Sequence, residues 1–432
     1  MPVWFAAVAD DDTGATDLAG MLADRGMRAV LIIGEPSPED FERWTGEADA
    51  VVMGTGSRSA APDVAYRRTR QAVRLLKTLH PQNLQVKYCS TFDSTAAGTI
   101  GPSIDAALDE TGQSFTVALP ALPVNGRTTY MSYHFVGQQL LSDSPMRDHP
   151  LNPMTNPNLV MHLQSQTKRR VGFLAYPDAG KGPARIQQRL DELRAEGVEI
   201  AILDCISNED LWSICEAISG LPLITGSSAP GMCLPLSWQQ IPPQPILYEA
   251  GTNGRGFLVV AGSYSEATRR QNEWLASQDV VVVTLDALEL AGSSKVSAPA
   301  IISESLTAGR TCLIQISRDR QRVQEHFRAQ NKTDIEAGEL IACGLAEVVR
   351  SVLHLAIPEG LILAGGETSS TIARALGFRA LRVGPNIEPG VPVCVTMTKP
   401  VLPVVFKSGN FGGEYFYGHA MNAIRHFRVV KE

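Results

Sequence analysis

The chain has 432 residues, 44% of them hydrophobic and 19% charged, with a formal net charge of −7. That length exceeds one ordinary core and predicts two or three domains, and the balance is that of a globular rather than a disordered chain. Net negative charge argues against a nucleic-acid surface or an anionic membrane as main partner, and no apolar run approaches the roughly 20 residues of a membrane span.

Val3–Val8 reads as a first strand with no basic region before it, so neither secretion nor membrane insertion is expected and a cytoplasmic location is. A helix over Ala15–Arg25 follows, then strands at Ala29–Ile33 and Ala50–Met53 and an arginine-rich helix from Pro62 to about His80. Gln85–Tyr88 and Phe115–Leu119 read as further strands around a helix at Ser103–Glu110. The fold class is α/β: such alternation predicts a mostly parallel sheet flanked by helices, with function at the carboxyl ends of its strands. Leu122–Pro157 lacks clean periodicity and reads as a long excursion over a site. A helix near Ala184–Glu196 and a strand at Glu199–Asp204 restore the alternation.

The prolines and glycines between Pro235 and Gly256 predict a boundary separating domains 1–240 and 256–432. A second α/β unit then runs through Phe257–Ala261, a helix from Ser265, Val280–Leu285, Cys312–Ile316, a long helix near Ile335–Leu355 and Leu361–Ala364. The seven cysteines are scattered and include no Cys-x-x-Cys pair, which predicts small core residues in a reducing compartment rather than a zinc site or a disulfide frame. The short basic clusters Arg67-Arg68 and Lys168-Arg169-Arg170 read as solvated faces. His134, His149 and His162 fall in or beside the excursion without ligand spacing, and structural or solvent roles are expected of them.

Four polar segments follow strands in the first half. Asp10-Asp11-Asp12 precedes a helix, with Asp17 one turn in; one acid suits an N-cap, and the repulsion among the three calls for Mg²⁺, a substrate hydroxyl or a raised pKa. Arg58 in Thr55–Ser59 offers a fork for a carboxylate. Lys87–Thr95 carries a lysine, hydroxyls and Asp93-Ser94, the polarity expected around a small polyhydroxy acid. Arg127, after Asn125-Gly126, is either a second anion clamp or a turn arginine. The second half has three small-residue loops: Gly262–Ser265, Gly365–Ser370 and Lys407–Gly413. Glycines admit a ligand close to the backbone, and the helix expected after Gly365 offers N–H groups to an anion, so these loops predict a phosphate-bearing nucleotide although no standard phosphate-loop motif is present.

These segments together resemble the four-carbon acid sugar kinase family. The family pattern reads Ala-Asp-Asp-Phe-Thr-Gly-Ala, Lys-Tyr-Cys-Ser-Thr-Phe-Asp-Ser-Thr, Pro-Ala-Leu-Pro-Val-Asn-Gly-Arg-Thr, Gly-Ser, Gly-Gly-Glu-Thr-Ser and Lys-Ser-Gly-Asn-Phe-Gly. Its parts recur here in order from Ala9 to Gly412. The form of Lys87–Thr95 and Leu122–Thr128 is most similar to the branch acting on 3-oxo-tetronates, with D-threonate and D-erythronate kinases as the alternative. The resemblance implies ATP-dependent phosphorylation of a 4-hydroxyl, with Mg²⁺, by an N-terminal substrate domain and a C-terminal nucleotide domain. It implies that Ser263, Gly365, Gly366, Glu367, Thr368 and Gly409 contact ATP. Asp10 or Asp11, Arg58, Lys87, Asp93 and Ser94 would face the sugar acid, with Arg127 as a further anion clamp.

On that reading Asp11 or Asp93 acts on the hydroxyl proton, the domains close across the Pro235–Gly256 boundary, and no metal ligand set is assigned. Asp12 stands where the family usually has Phe, and Tyr264 where a small residue is common. The partners expected are the sugar acid and ATP, with homo-oligomerisation left open. A Schiff-base aldolase using Lys87 and a non-catalytic sugar-acid sensor are the rival readings.

Overall fold

The computed structural model describes residues 3–148, 152–239, 241–242, 248–249, 255–292, 298–317, 320–426 and 428–429. His149 and most of the glycine cluster ahead of Gly256 lie outside them. The chain forms two compact units, Met1–Pro242 and Pro243–Glu432.

The first unit begins β1 (Phe5–Ala9), α1 (Asp12–Asp24), β2 (Ala29–Ile33), α2 (Pro38–Thr45), β3 (Ala50–Gly54) and α3 (Pro62–Lys77). It continues with β4 (Asn83–Lys87), α4 (Ile100–Thr111), β5 (Thr116–Leu119), β6 (Arg127–Tyr130), β7 (Tyr133–Val136) and β8 (Gln139–Leu140). Then come α5 (Leu159–Gln164), β9 (Val171–Leu174), α6 (Tyr176–Ala179), α7 (Pro183–Ala195), β10 (Ile200–Leu203), α8 (Asn208–Ile218) and β11 (Leu223–Gly226). Eight strands lie in the order β2-β3-β1-β4-β11-β5-β10-β9, every pair parallel. All five residues of each of β1 to β4 are buried, as a sheet covered on both faces requires. The chain winds out through β2 and β3 and crosses back to β4 on the other side of β1. The loops after β1 and β4 therefore leave the sheet at its switch point, where open α/β sheets bind ligands.

The excursion after β5 is more regular than its sequence suggests: β6, β7 and β8 form a small antiparallel sheet. Its first turn has Met131 and Ser132 both at positive φ, 50° and 65°. The Asp204 carboxylate holds that turn by accepting from both N–H groups, so a side chain after β10 does the work usually done by Asn-Gly. The cysteine expectation needs a correction: Cys215 of α8 and Cys233 are joined as a disulfide, Cα–Cα 6.3 Å. Neither neighbour in sequence marks that pair, because the turn after β11 brings it together. Of the basic clusters read as solvated faces, Arg67 is exposed and pairs with Asp63, whereas Arg169 is only about a fifth exposed and is held by Asp105, Asp109 and Glu199.

The second unit holds β12 (Tyr248–Glu249), β13 (Leu258–Ala261), α9 (Glu266–Ala276), β14 (Val281–Leu285), α10 (Ala287–Ala291), α11 (Ala298–Thr307) and β15 (Cys312–Ile316). It continues with α12 (Arg320–Ala329), α13 (Asp334–Leu355), β16 (Leu361–Ala364), α14 (Gly366–Ala375), β17 (Ala380–Glu388) and β18 (Val391–Thr396). It ends with β19 (Pro403–Lys407), α15 (Phe416–His426) and β20 (Arg428–Val429). Strands β14-β15-β13-β16-β19 run parallel, and β18 turns the sheet antiparallel between β19 and β17. Phe257, Val259, Ile362, Val405, Phe416 and Tyr417 centre its core. Among the described residues no helix is long and apolar enough to cross a membrane.

Candidate active site

In the first unit, the loops after β3, β1 and β4 leave neighbouring strands at one edge and gather most of the charged candidates. Asp11 is the N-cap of α1, its carboxylate accepting from Gly14 N at 2.7 Å and Thr13 Oγ1 at 2.9 Å. Arg58 donates through Nε and Nη2 to Asp10, at 2.9 and 2.8 Å, and through Nη2 to Asp11 at 2.8 Å. The fork expected for a substrate carboxylate thus closes on the protein's own acids. It also offsets the repulsion between Asp10 and Asp11, Arg58 supplying a cation that the sequence reading did not weigh for that purpose. Asp12 turns aside, its carboxylate packed on Gly54 of β3, where no Cβ would fit.

Burial would raise the Asp11 carboxyl, but Arg58 and Lys87, with the Thr13 and Gly14 donors, outweigh it and hold it below the usual range. Lys87 ends β4 fully buried, donating to the Tyr88 carbonyl at 3.0 Å, and Gly14 lies close enough that a Cβ there would stand 3.0 Å from Nζ. The next loop turns through Phe92, a buried aromatic at φ 55° wedged edge-on against Tyr88 and His162. That left-handed residue is a local strain of about 1–3 kcal/mol. It sets Asp93 beyond the turn, where its carboxylate accepts from Thr91 Oγ1 at 2.5 Å.

Ser94 is placed differently: its hydroxyl donates to Gln166 and accepts from Thr99 N, which ties the loop to the start of α4. Arg127 opens β6 with Nη1 on the Asn125 carbonyl and its charge within reach of Asp17 and His134. Asp17, set aside in the sequence reading, accepts from Ser228 Oγ, and burial raises its carboxyl above the usual range. His134 is buried with Nδ1 on Thr129 Oγ1 at 3.0 Å, and burial pushes it down to about 4, so it is neutral at pH 7. Sequence could not single out Ser228, which lies 211 residues from Asp17.

In the second unit the three small-residue loops follow β13, β16 and β19, which are adjacent strands. Gly365 has φ +126°, a conformation glycine tolerates, and a Cβ there would stand 3.3 Å from Ser263 N and from Thr368 Oγ1. A Cβ on Gly262 would run into Thr368, and one on Gly409 into Ser263 Oγ. Ser263, Gly365, Thr368 and Gly409 therefore meet around one glycine-lined hollow. Gly366, Glu367 and Thr368 form the first turn of α14, whose N–H groups have no acceptor within the helix.

Three donors fix the Gly409 carbonyl: Ser265 Oγ at 2.5 Å, Thr268 Oγ1 at 2.8 Å and Lys407 Nζ at 3.1 Å. Lys407, fully buried at the end of β19, also donates to the Ser408 and Phe411 carbonyls, and burial pushes its ammonium down to about 7. Its signal was present in sequence as a lysine closing an apolar run. Tyr264 is exposed, 44% accessible, so it does not fill the hollow. These residues fit a polyphosphate: backbone donors, hydroxyls and space that side chains would occupy. Among the described residues no group of three or more His, Cys, Asp or Glu is arranged to hold a metal. Mg²⁺ carried on substrate phosphates needs no such cage.

Comparison with known proteins matches a domain model to each half of the chain. Residues 5–233 match the model of a sugar-binding N-terminal domain and residues 258–417 that of a nucleotide-binding C-terminal domain. A Pseudomonas savastanoi pv. phaseolicola protein named 3-oxo-tetronate kinase is 38% identical over 425 residues, 96% of either chain. A Pseudomonas fluorescens protein of the same name is 39% identical over 422 residues, again 96% of both. A crystal structure of a Haemophilus influenzae protein superimposes with a TM-score of 0.77 at 33% identity, covering 96% of this chain and 99% of that one. Both halves are matched, and identity extends over nearly the whole length: this chain belongs to the four-carbon acid sugar kinase family.

Proposed function

We propose that this chain is an ATP-dependent kinase that phosphorylates the 4-hydroxyl of 3-oxo-tetronate, with D-threonate or D-erythronate as the alternative acceptor. The observation that carries the proposal is the near-full-length identity to 3-oxo-tetronate kinases. The two loop clusters give it a physical basis. A phosphoryl-transfer enzyme needs a place for each reactant, charge balance and exclusion of water rather than covalent chemistry.

In the substrate unit, Asp10, Asp11 and Arg58 form a prepaid ion cluster that gives the loops after β1 and β3 a fixed shape. Lys87 and Arg127 are the cations left to meet the acid's carboxylate, and Asp93 borders the same loop. Ser94 supports that loop through Gln166. In the nucleotide unit Ser263, Gly365, Gly366, Glu367, Thr368 and Gly409 would hold ATP. ATP supplies the γ-phosphoryl group, and Mg²⁺ neutralises charge on its oxygens when bound. Lys407, Ser265 and Thr268 hold the Gly409 carbonyl and so keep that loop in shape. A homo-oligomer and a cytoplasmic location complete the proposal.

The test is product identification: incubation with MgATP and 3-oxo-tetronate should yield ADP and a phosphomonoester coupled to C4 protons in phosphorus NMR. Borohydride trapping of a Lys87 adduct with substrate would instead support the aldolase, and binding without ADP the sensor.

A further inference from the structure

We propose that Asp17 is the carboxylate that takes the proton of the attacking hydroxyl in phosphoryl transfer by this chain. The assignment rests on the kinase reading above. Asp17 is nine-tenths buried on α1, three residues beyond Gly14 and so on the same helix face. Gly14 brings that face against Lys87, Arg58 and Asp11. On the other side, Ser228 follows β11, the neighbour of β4, and donates to Asp17 Oδ2. Asp17 Oδ1 is fully enclosed and, among the described residues, accepts from nothing. Arg127 Nε is likewise enclosed and donates to nothing, although its charge reaches Asp17. Folded interiors leave few polar atoms unpaired. An acceptor and a donor orphaned within electrostatic reach of each other match a ligand that offers a hydroxyl to one and an anionic oxygen to the other, as a hydroxy acid does.

The other acids of these loops are less fitted to receive a proton, Asp93 already accepting from Thr91 Oγ1 at 2.5 Å. Asp11 already accepts from Gly14 N, Thr13 and Arg58, which keep it ionised. Asp10 takes both arms of the Arg58 fork. For Asp17, burial outweighs the attraction of Lys87, Ser228 and Arg127, and Asp11 adds to the rise. A carboxylate whose proton affinity is raised toward the working pH is the better base. In the step, the hydroxyl oxygen bonds to the γ-phosphorus and the bond from that phosphorus to the β–γ bridging oxygen breaks. ADP leaves with that electron pair, and the hydroxyl proton ends on Asp17 Oδ1.

The plainer role is structural: Asp17 as an anchor for the turn at Ser228. Two variants of the full chain separate the roles by steady-state ADP release and its pH profile. Asp17→Asn keeps the volume and an acceptor for Ser228 and removes a buried charge, so it should melt no lower than the parent. Its kcat should fall by about 100-fold or more, with the KM for ATP within about twofold. Ser228→Ala keeps the carboxylate but removes a donor favouring its ionised form, so the acid limb of kcat should move up by roughly half a pH unit. Lys87, Arg127 and Asp11, the charged groups that act on Asp17, are unchanged in both variants. Parent protein without acid-dependent ADP release overturns the kinase reading itself. Active parent with Asp17→Asn turnover within about fivefold overturns the role of Asp17 alone. An acid limb that stays in place in Ser228→Ala also overturns that role, and it decides the matter should Asp17→Asn fail to fold.

Discussion

Arg58 decides how two carboxylates can share the end of one strand. Its guanidinium is the common donor to Asp10 and Asp11, and all three groups are less than a quarter exposed. Removing one member of such a cluster leaves uncompensated charge with little water to solvate it. Arg58→Met should therefore destabilise the protein by about 3–5 kcal/mol in urea unfolding and abolish turnover. The two acids that flank Lys87 behave oppositely with pH. Asp11 has its folded value below its unfolded one, so its contribution to stability is present at neutral pH and is lost as pH falls through the folded value. Asp17 has its folded value above the unfolded one, so the stability it lends is present below about pH 4 and is lost as pH rises through the folded value. The stability difference between Asp17→Asn and the parent should consequently grow in the variant's favour from pH 4 to pH 7. A difference independent of pH would contradict the raised value.

At the scale of elements, the strand-turn-helix formed by β16, Gly365 and α14 does its work through backbone shape. Gly365→Ala puts a side chain at φ +126° beside Ser263 and Thr368, a strain of about 1–3 kcal/mol. The KM for ATP should rise about tenfold or more while that for the sugar acid is unchanged. This turn was legible in the sequence because both of its signals are local: four apolar residues, then glycines and hydroxyls that suit a helix start. Asp10-Asp11 was legible for the same reason, and Cys312–Ile316 was placed to the residue. Other features were hidden because their causes are distant. The turn at Met131-Ser132 lacks turn residues and depends on Asp204. The Cys215–Cys233 pair depends on the turn after β11. β18 looks like any buried strand, and only its pairing with β17 and β19 makes it antiparallel. Asp17 was named in the sequence only as an acid one turn into α1, because Ser228 and Arg127, which give it meaning, lie far along the chain, after β11 and at the start of β6.

Across the whole molecule, the two units carry two kinds of candidate site. The first has buried charge arranged around Lys87; the second has glycines, hydroxyls and helix N–H groups around Ser263 and Gly409. Binding to the native state raises its stability by mass action. ATP and 3-oxo-tetronate should each raise the melting temperature of the full chain when added alone. Gly365→Ala should lose the ATP shift and keep the sugar-acid shift, and Lys87→Met should do the reverse. Loss of both shifts from either substitution would contradict the division of labour. The central claim is tested most directly by a coupled ADP-release assay across 3-oxo-tetronate, D-threonate and D-erythronate, with and without Mg²⁺. Mg²⁺-dependent ADP release that is fastest with 3-oxo-tetronate is the result predicted here; no acid-dependent ADP release with any of the three would contradict it.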